Sequence, residues 1–463
     1  MKRLLLALLL TGAVTAKAQT AAFDYNEMDC GPELTTFRCL APAQAKSVVV
    51  RLYQDAEGGK ALKTVKMKKT DGTDDNGCAV WQAAVKGNLL GRYYTFDSGE
   101  GETAGVFAKA VGTKGQRAAI VNMVNTFPDD WCCDQKPVIK NATDLVVYEL
   151  QPTKDAWTVD ELKTLGVNAV LILQPNDPQN LNVPNEGYAT APSDPASRAK
   201  DFKTMVQSLH TAGIAVILDM TYDETCTQPF IVESAKHWVD EYRVDGFRFH
   251  LAGSDDGTLT AVRQALAETA PDLFIYGTSW DVAQGGFLKG EGGDEERMKS
   301  GLAGTIEQLS QEPTQTMAFV TCHDGMSQEE RMLAQTAVLT SQGVPFLLER
   351  KPQPTTYYQN LIALRQHHPA FRLGDAYLVR KHMEFLPAPD GVVAFRLKGY
   401  AGRDDWRTIV VILNGTSERQ TVSLPKGMYT IVCQDGEINE ASTSKLFGRR
   451  VGVSPTSALI LHE

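Results

Sequence analysis

The chain lacks any apolar run long enough to cross a bilayer, which takes about 20 residues; its most apolar stretch, Leu4–Leu10, is far shorter. It also lacks a basic stripe. No basic run exceeds Lys66–Lys69, and Lys+Arg 46 against Asp+Glu 56 leave a net charge of −10. An acidic chain of this kind repels phosphate backbones, which argues against nucleic acid and for neutral ligands. There is no C-x-x-C pair, so zinc-type metal spacing is missing. Internal repeats and low-complexity tracts are absent. With 43% hydrophobic and 22% charged residues, the composition excludes whole-chain disorder, collagen and a small disulfide scaffold.

What is present is length: 463 residues, enough for roughly three domains. The chain opens with the pattern of an export signal. Lys2-Arg3 is a positive start, Leu4–Leu10 a short apolar core and Ala16-Lys17-Ala18 a small-residue cleavage site, so cleavage after Ala18 and a periplasmic or extracellular location are expected. No Cys follows closely enough for a lipid anchor. The eight cysteines are Cys30, Cys39, Cys78, Cys132, Cys133, Cys226, Cys322 and Cys433. Disulfides and buried thiols stand as equal alternatives for them.

Periodicity divides the remainder into three. From about Thr35 to Phe96 alternation at period two, as in Ser47–Tyr53, Trp81–Val85 and Arg92–Phe96, with a Gly58-Gly59 hairpin, predicts an immunoglobulin-like β-sandwich over 19–125. From about Asp144, strands alternate with amphipathic helices. Leu145–Leu150, Ala169–Leu173, Ala215–Met220, Gly246–His250, Leu273–Thr278, Ala318–Asp324 and Val344–Glu349 read as strands, with a weak eighth near Gly285–Lys289. Ala199–Ala212 and Ser234–Tyr242 read as helices between them. This α/β pattern predicts a TIM (β/α)8 barrel over 140–372. After a helix at Thr355–His368, alternation returns and predicts a C-terminal antiparallel β-domain over 375–463.

Five motifs in order then carry a family likeness. Val147-Tyr148-Glu149-Leu150, Gly213–Asp219, Val244-Asp245-Gly246-Phe247-Arg248-Phe249, Ile275-Tyr276-Gly277 and Cys322-His323-Asp324 resemble the strand-end motifs of the α-amylase family of glycoside hydrolases, and within it type I pullulanases. The N-terminal Thr35–Arg38 and Gly91–Tyr94 resemble a starch-binding-type sandwich; Leu361–Arg365 with His368–Phe371 resembles the last barrel helix. The resemblance implies a retaining mechanism, with a nucleophilic carboxylate and an acid/base carboxyl about 5–5.5 Å apart. The nucleophile is expected two residues after the strand-four Arg, where this chain has His250. The acid is expected right after the strand-five Tyr-Gly, where it has Thr278.

Neither residue replaces a carboxylate. A histidine has no anionic oxygen to form a glycosyl ester, and a threonine hydroxyl holds its proton too tightly for general acid work near neutral pH. The resemblance assigns sugar binding to Asp219, Arg248, His323 and Asp324, the last at the third-carboxylate position. Pairing of Asp219 with Arg248 to hold the barrel mouth in register stands beside that role. Trp81, Tyr93 and Tyr94 are candidates for a sugar platform, with core packing the commoner reading at strand spacing.

Walls of the site are shortened as well. Pro184–Tyr188 resembles only the segment beyond the aromatic loop after strand two. Asp223-Glu224-Thr225 stands where relatives read Asn-His-Thr, and the chain then passes at once to a helix near Ile231. Leu348–Pro352 replaces a longer loop. The span from Asp144 to Phe371 is 228 residues, short for a fold that runs from about 200 to more than 400.

The sequence therefore points to a catalytically degenerate protein that binds or senses α-glucan or maltooligosaccharide. It needs no cofactor, and its oligomeric state is open. One alternative is a debranching hydrolase with rearranged catalytic residues, drawing on Glu224, Asp281, Asp324 or His250. Another is an envelope interaction module without a glycan ligand. A metal held by His250, His323, Asp219 and Asp324 has no recognised ligand spacing to support it.

Overall fold

The computed structural model describes residues 25–73, 77–152, 158–251, 256–276, 278–281, 316–319, 326–348 and 355–463. The expected signal at 1–18, the expected strand at Gly285–Lys289, and His323 and Asp324 lie outside them. Two compact units divide between Asn122 and Met123.

In the first unit, alternation at period two gives two antiparallel sheets. One orders its strands Met28–Cys30, Leu34–Ala41, Ala79–Lys86 and Lys68–Thr73; the other orders Lys63–Lys66, Val49–Tyr53, Tyr93–Asp97 and Glu102–Thr103. Their inner faces meet: Phe37 and Tyr94, from different sheets, have ring centroids 5.1 Å apart. Gly58 and Gly59, both at positive φ, make the turn that joins Val49–Tyr53 to Lys63–Lys66. Trp81 and Tyr94 are 6% and 2% exposed. They are core residues, so the sugar platform they were candidates for is not formed by them.

The second unit is built on an eight-stranded, wholly parallel sheet. Its strands are β1 (Val147–Leu150), β2 (Ala169–Ile172), β3 (Ala215–Tyr222), β4 (Gly246–Leu251), β5 (Phe274–Tyr276), β6 (Thr278–Asp281), β7 (Thr316–Phe319) and β8 (Val344–Leu347). The order is β5-β4-β3-β2-β1-β8-β7-β6. The expected strand Leu273–Thr278 falls on β5 and β6, which flank Gly277, a residue outside the described ones, and stand at the two ends of the order. The strand expected at Ala318–Asp324 begins earlier, at Thr316.

Helices α1 (Val159–Leu165), α2 (Pro195–Thr211), α3 (Gln228–Tyr242), α4 (Asp256–Leu266) and α5 (Gln328–Thr340) lie between the strands, and α6 (Thr355–His367) follows β8. α2 starts earlier than its apolar pattern because Asp194 caps the Ala196 N–H and Pro195 opens the first turn. α3 starts at the Thr227 cap, ahead of Ile231, for the same reason.

Alternate strand residues face opposite ways. Val146, Tyr148, Val170, Val216, Leu218 and Phe247 join the large core with Phe202, Trp238 and Tyr242 of the helices, each such side chain contributing about 1.5–3 kcal/mol. Their neighbours Val147, Ala169, Leu171, Ala215, Ile217, Met317, Val344 and Phe346 form a second cluster on the other face of the sheet.

The C-terminal part folds as antiparallel sheet, with Met383–Phe385, Val392–Lys398, Thr408–Asn414, Ser457–His462, Met428–Gln434 and Glu437–Ile438 in that order and Lys445–Phe447 off it. One face packs on the pair Gln420–Ser423 and Arg450–Val453 through Val410, Ile412, Val422 and Leu459. The other, with Phe395, Ile409, Val411 and Ile460, shares the large core with α5. Burial on both faces explains why Thr408–Asn414 is buried throughout. Arg365 of α6 is fully buried and donates to the carbonyls of Leu339, Ser341, Phe371, Thr143 and Gly343. It fixes α6 to the connections around it.

Candidate functional site

The stretch Val244–His250 organises the strand-four end residue by residue. Asp245 accepts from the Val216 N–H at 2.7 Å and meets His210 Nε2 at 3.0 Å, which sets β4 beside β3. Gly246 is required by the neighbouring strand: a Cβ there would lie 2.6 Å from the Phe274 carbonyl oxygen. Phe247 and Phe249 take the helix-facing side and stack at 5.0 Å. Arg248 and His250 take the other side, which carries the second apolar cluster further down the strands.

On that side, at the carboxyl ends of the strands, the lining changes from apolar to polar. Asp219 of β3 stands in register with Arg248 of β4. One of its oxygens, Oδ1, accepts from Arg248 Nε at 2.6 Å and lies 2.8 Å from His250 Nε2. Burial alone would push the Asp219 carboxyl up; the hydrogen bonds from Arg248 and His250 outweigh it and hold the group below the usual carboxylate range. His250 keeps about half its side-chain surface in solvent. The pairing of Asp219 and Arg248 weighed against a ligand role is formed.

Glu149, at the end of β1, belongs to the same charge cluster, although motif reasoning passed over it as part of a strand. Burial raises its carboxyl above the usual range, partly offset by Arg248 and by a hydrogen bond with Gln151. The available signal was an acidic residue at an inward-facing position of a strand end, two beyond Val147.

Thr278 is the first residue of β6 and stands opposite Thr316 of β7. Trp280 and Asp281 follow on the same strand. Glu224 is exposed on a short turn between β3 and α3, in which Asp223 accepts from Thr225. Tyr188, in the segment after β2, is not offered to a ligand. Its hydroxyl donates to the Leu173 carbonyl at 2.7 Å and its ring meets Phe202 edge-on. Arg198, 1% exposed, fixes the same segment through Asp177 and the Pro184 carbonyl. Among the described residues, no group of three or more His, Cys, Asp or Glu is placed to hold a metal ion. No helix among them is long and apolar enough to cross a membrane.

Such an arrangement can hold hydroxyl-rich ligands through Arg248, Asp219 and His250. It offers no free carboxylate at the strand-four position.

Comparison with known proteins gives a consistent picture. Residues 379–437 match the family model of the pullulanase all-beta domain. The pullulanase of Bacillus subtilis strain 168 is 23% identical over 97% of this chain and 87% of its own length. The alignment runs over 641 positions, of which 97% of 463 residues fill about 449, so roughly 190 stand opposite gaps in this chain. Among solved structures, the pullulanase of Bacillus acidopullulyticus superposes with a TM-score of 0.79 at 25% identity, covering 94% of this chain and 74% of that one. The pullulanase of Paenibacillus barengoltzii, solved in complex with maltohexaose and α-cyclodextrin, gives 0.78 at 26% identity over 94% of each chain. With motifs in order, a matched all-beta domain and similarity along nearly its whole length, the chain is homologous to the pullulanases and shares their fold.

Proposed function

We propose that this protein is exported and binds or senses α-glucan without hydrolysing it. The observation that carries the reading is His250. It occupies the position from which relatives present the nucleophilic carboxylate, and its ring is engaged with Asp219 at 2.8 Å. With Thr278 at the acid/base position, neither half of a retaining mechanism has its carboxyl group.

Three features support the ligand side of the proposal. Asp219 and Arg248 persist at the sugar-binding positions, with His323 and Asp324 completing the family set in sequence. The Paenibacillus relative was solved with maltohexaose and α-cyclodextrin bound. The N-terminal unit has the two-sheet form expected of a starch-binding-type domain. We read the parallel sheet as a (β/α)8-type barrel with shortened loops. Its two outermost strands in the order, β5 and β6, are nearly contiguous in sequence, which favours closure over two open edges.

Affinity electrophoresis in gels containing pullulan or amylopectin tests the reading. Retardation is expected, together with heat released on titrating maltotriose. Unretarded migration with no binding heat would remove the glycan ligand and leave an interaction module.

The second reading, a hydrolase with rearranged chemistry, has Glu149 in its favour. A half-buried carboxyl raised above its usual range is the property a general acid needs. Turnover of pullulan that is lost in Glu149→Gln would establish that reading over the first.

A further inference from the structure

Cys132 and Cys133 are neighbours in sequence, within the single 3-10 turn Trp131–Cys133. Successive side chains of such a turn point about 120° apart and do not face one another. Yet the two Sγ atoms lie 3.5 Å apart, in contact, and both residues are exposed with solvent available to either. The turn is fixed at both ends. Asp130 enters it at φ 58°, and Trp131 is buried with the Arg243 guanidinium 4.8 Å above its ring. On the far side Asp134 Oδ2 lies 2.9 Å from His210 Nδ1. Two thiols are therefore held together on an arch that cannot easily carry them apart.

We propose that Cys132 and Cys133 are a redox-modification site, whose thiols exchange with a small external disulfide to form a reversible vicinal disulfide. One thiolate attacks a sulfur of the external disulfide, forming a mixed disulfide and releasing one thiol. The neighbouring thiolate then attacks the protein-bound sulfur and releases the second. Two protein thiols are oxidised, and the external disulfide is reduced to two thiols.

The sulfurs must close from 3.5 Å to about 2.0 Å. Adjacent Cα atoms are about 3.8 Å apart across a trans peptide, short of the roughly 4.4–6.8 Å of relaxed disulfides. The bond is thus strained and readily reduced, a property of regulatory rather than structural disulfides. Closing it re-forms the turn that delivers Asp134 to His210, so oxidation loosens that contact.

The test equilibrates the full chain with mixtures of oxidised and reduced glutathione, alkylates it and weighs the peptide carrying both cysteines. In oxidising mixtures the peptide should be two hydrogen masses lighter and unalkylated, in a monomer; in reducing mixtures it should take two alkyl groups. Cys132→Ser should stop at a glutathione adduct on Cys133. Hydrogen exchange at Cys133–Lys136 should quicken on oxidation. Double alkylation in every mixture, stable double adducts, or pairing with a third cysteine would overturn the site. Unchanged exchange in the oxidised protein would overturn its link to Asp134.

Discussion

Asp219 Oδ1 lies 2.8 Å from His250 Nε2 while accepting from Arg248 Nε at 2.6 Å. One carboxylate oxygen therefore gathers both basic groups at the end of β4. The family resemblance places the attacking carboxylate two residues after the arginine, where this chain has a histidine turned toward a neighbouring acid. Restoring the lost groups with His250→Asp and Thr278→Glu returns the chemistry but not the walls. That double variant is expected to hydrolyse pullulan at under about a hundredth of the rate of an intact relative, the least that misplaced acid and nucleophile should cost. Reducing-end release measured in parallel checks it. Robust turnover would show the shortened loops to be irrelevant.

Arg365 predicts a large stability loss. Its guanidinium is fully buried and its two terminal nitrogens donate to five carbonyls, with burial lowering it to about 9. Arg365→Met abandons those carbonyls in the interior and is expected to cost about 3–5 kcal/mol. Arg365→Lys recovers only part of that, because one ammonium cannot reproduce the planar fork. Urea unfolding curves measure both.

His210 predicts a pH dependence. Burial would lower its pKa, but hydrogen bonds to Asp245 and Asp134 outweigh that and raise it. Lys136 near Asp245 and Arg243 near Asp134 complete the charged groups about it. Because the folded value exceeds the unfolded one, the stabilisation is full below the unfolded pKa, near 6.5, and fades as pH rises through the folded value. Going from pH 6 to pH 8 should therefore cost the wild type more stability than His210→Gln. Equal losses in paired denaturation curves would contradict the clamp.

Tyr188 predicts a small effect with a specific sign. Its hydroxyl bonds the Leu173 carbonyl just beyond β2, so Tyr188→Phe should destabilise by about 1 kcal/mol. Glycan affinity, measured by calorimetry, should not change, since the ring packs on Phe202 rather than facing ligand.

Much of this was legible in sequence because periodicity reports faces. The alternation around Asp245–His250 placed Arg248 and His250 on one face, where both meet Asp219; the proposal that His250 and Thr278 stand at the catalytic positions rests on motif order. Periodicity does not report which distant group meets a polar side chain. Asp134 reaches His210 across 76 residues from an irregular segment, and no spacing rule announces that. Glu149 looked like one more strand residue until β3 and β4 brought Asp219 and Arg248 near it. The different neighbours of Phe274–Tyr276 and Thr278–Asp281 were equally hidden, because an apolar run records burial but not its hydrogen-bonded partners.

We propose a pullulanase-like scaffold that has kept its binding groups and lost its chemistry. Release of reducing ends from pullulan by the wild-type protein, followed over a long incubation beside an intact relative, tests it most directly. No release above the protein-free control is expected. Sustained release that survives purification to homogeneity and vanishes on mutation of a strand-end carboxyl such as Glu149 would contradict it.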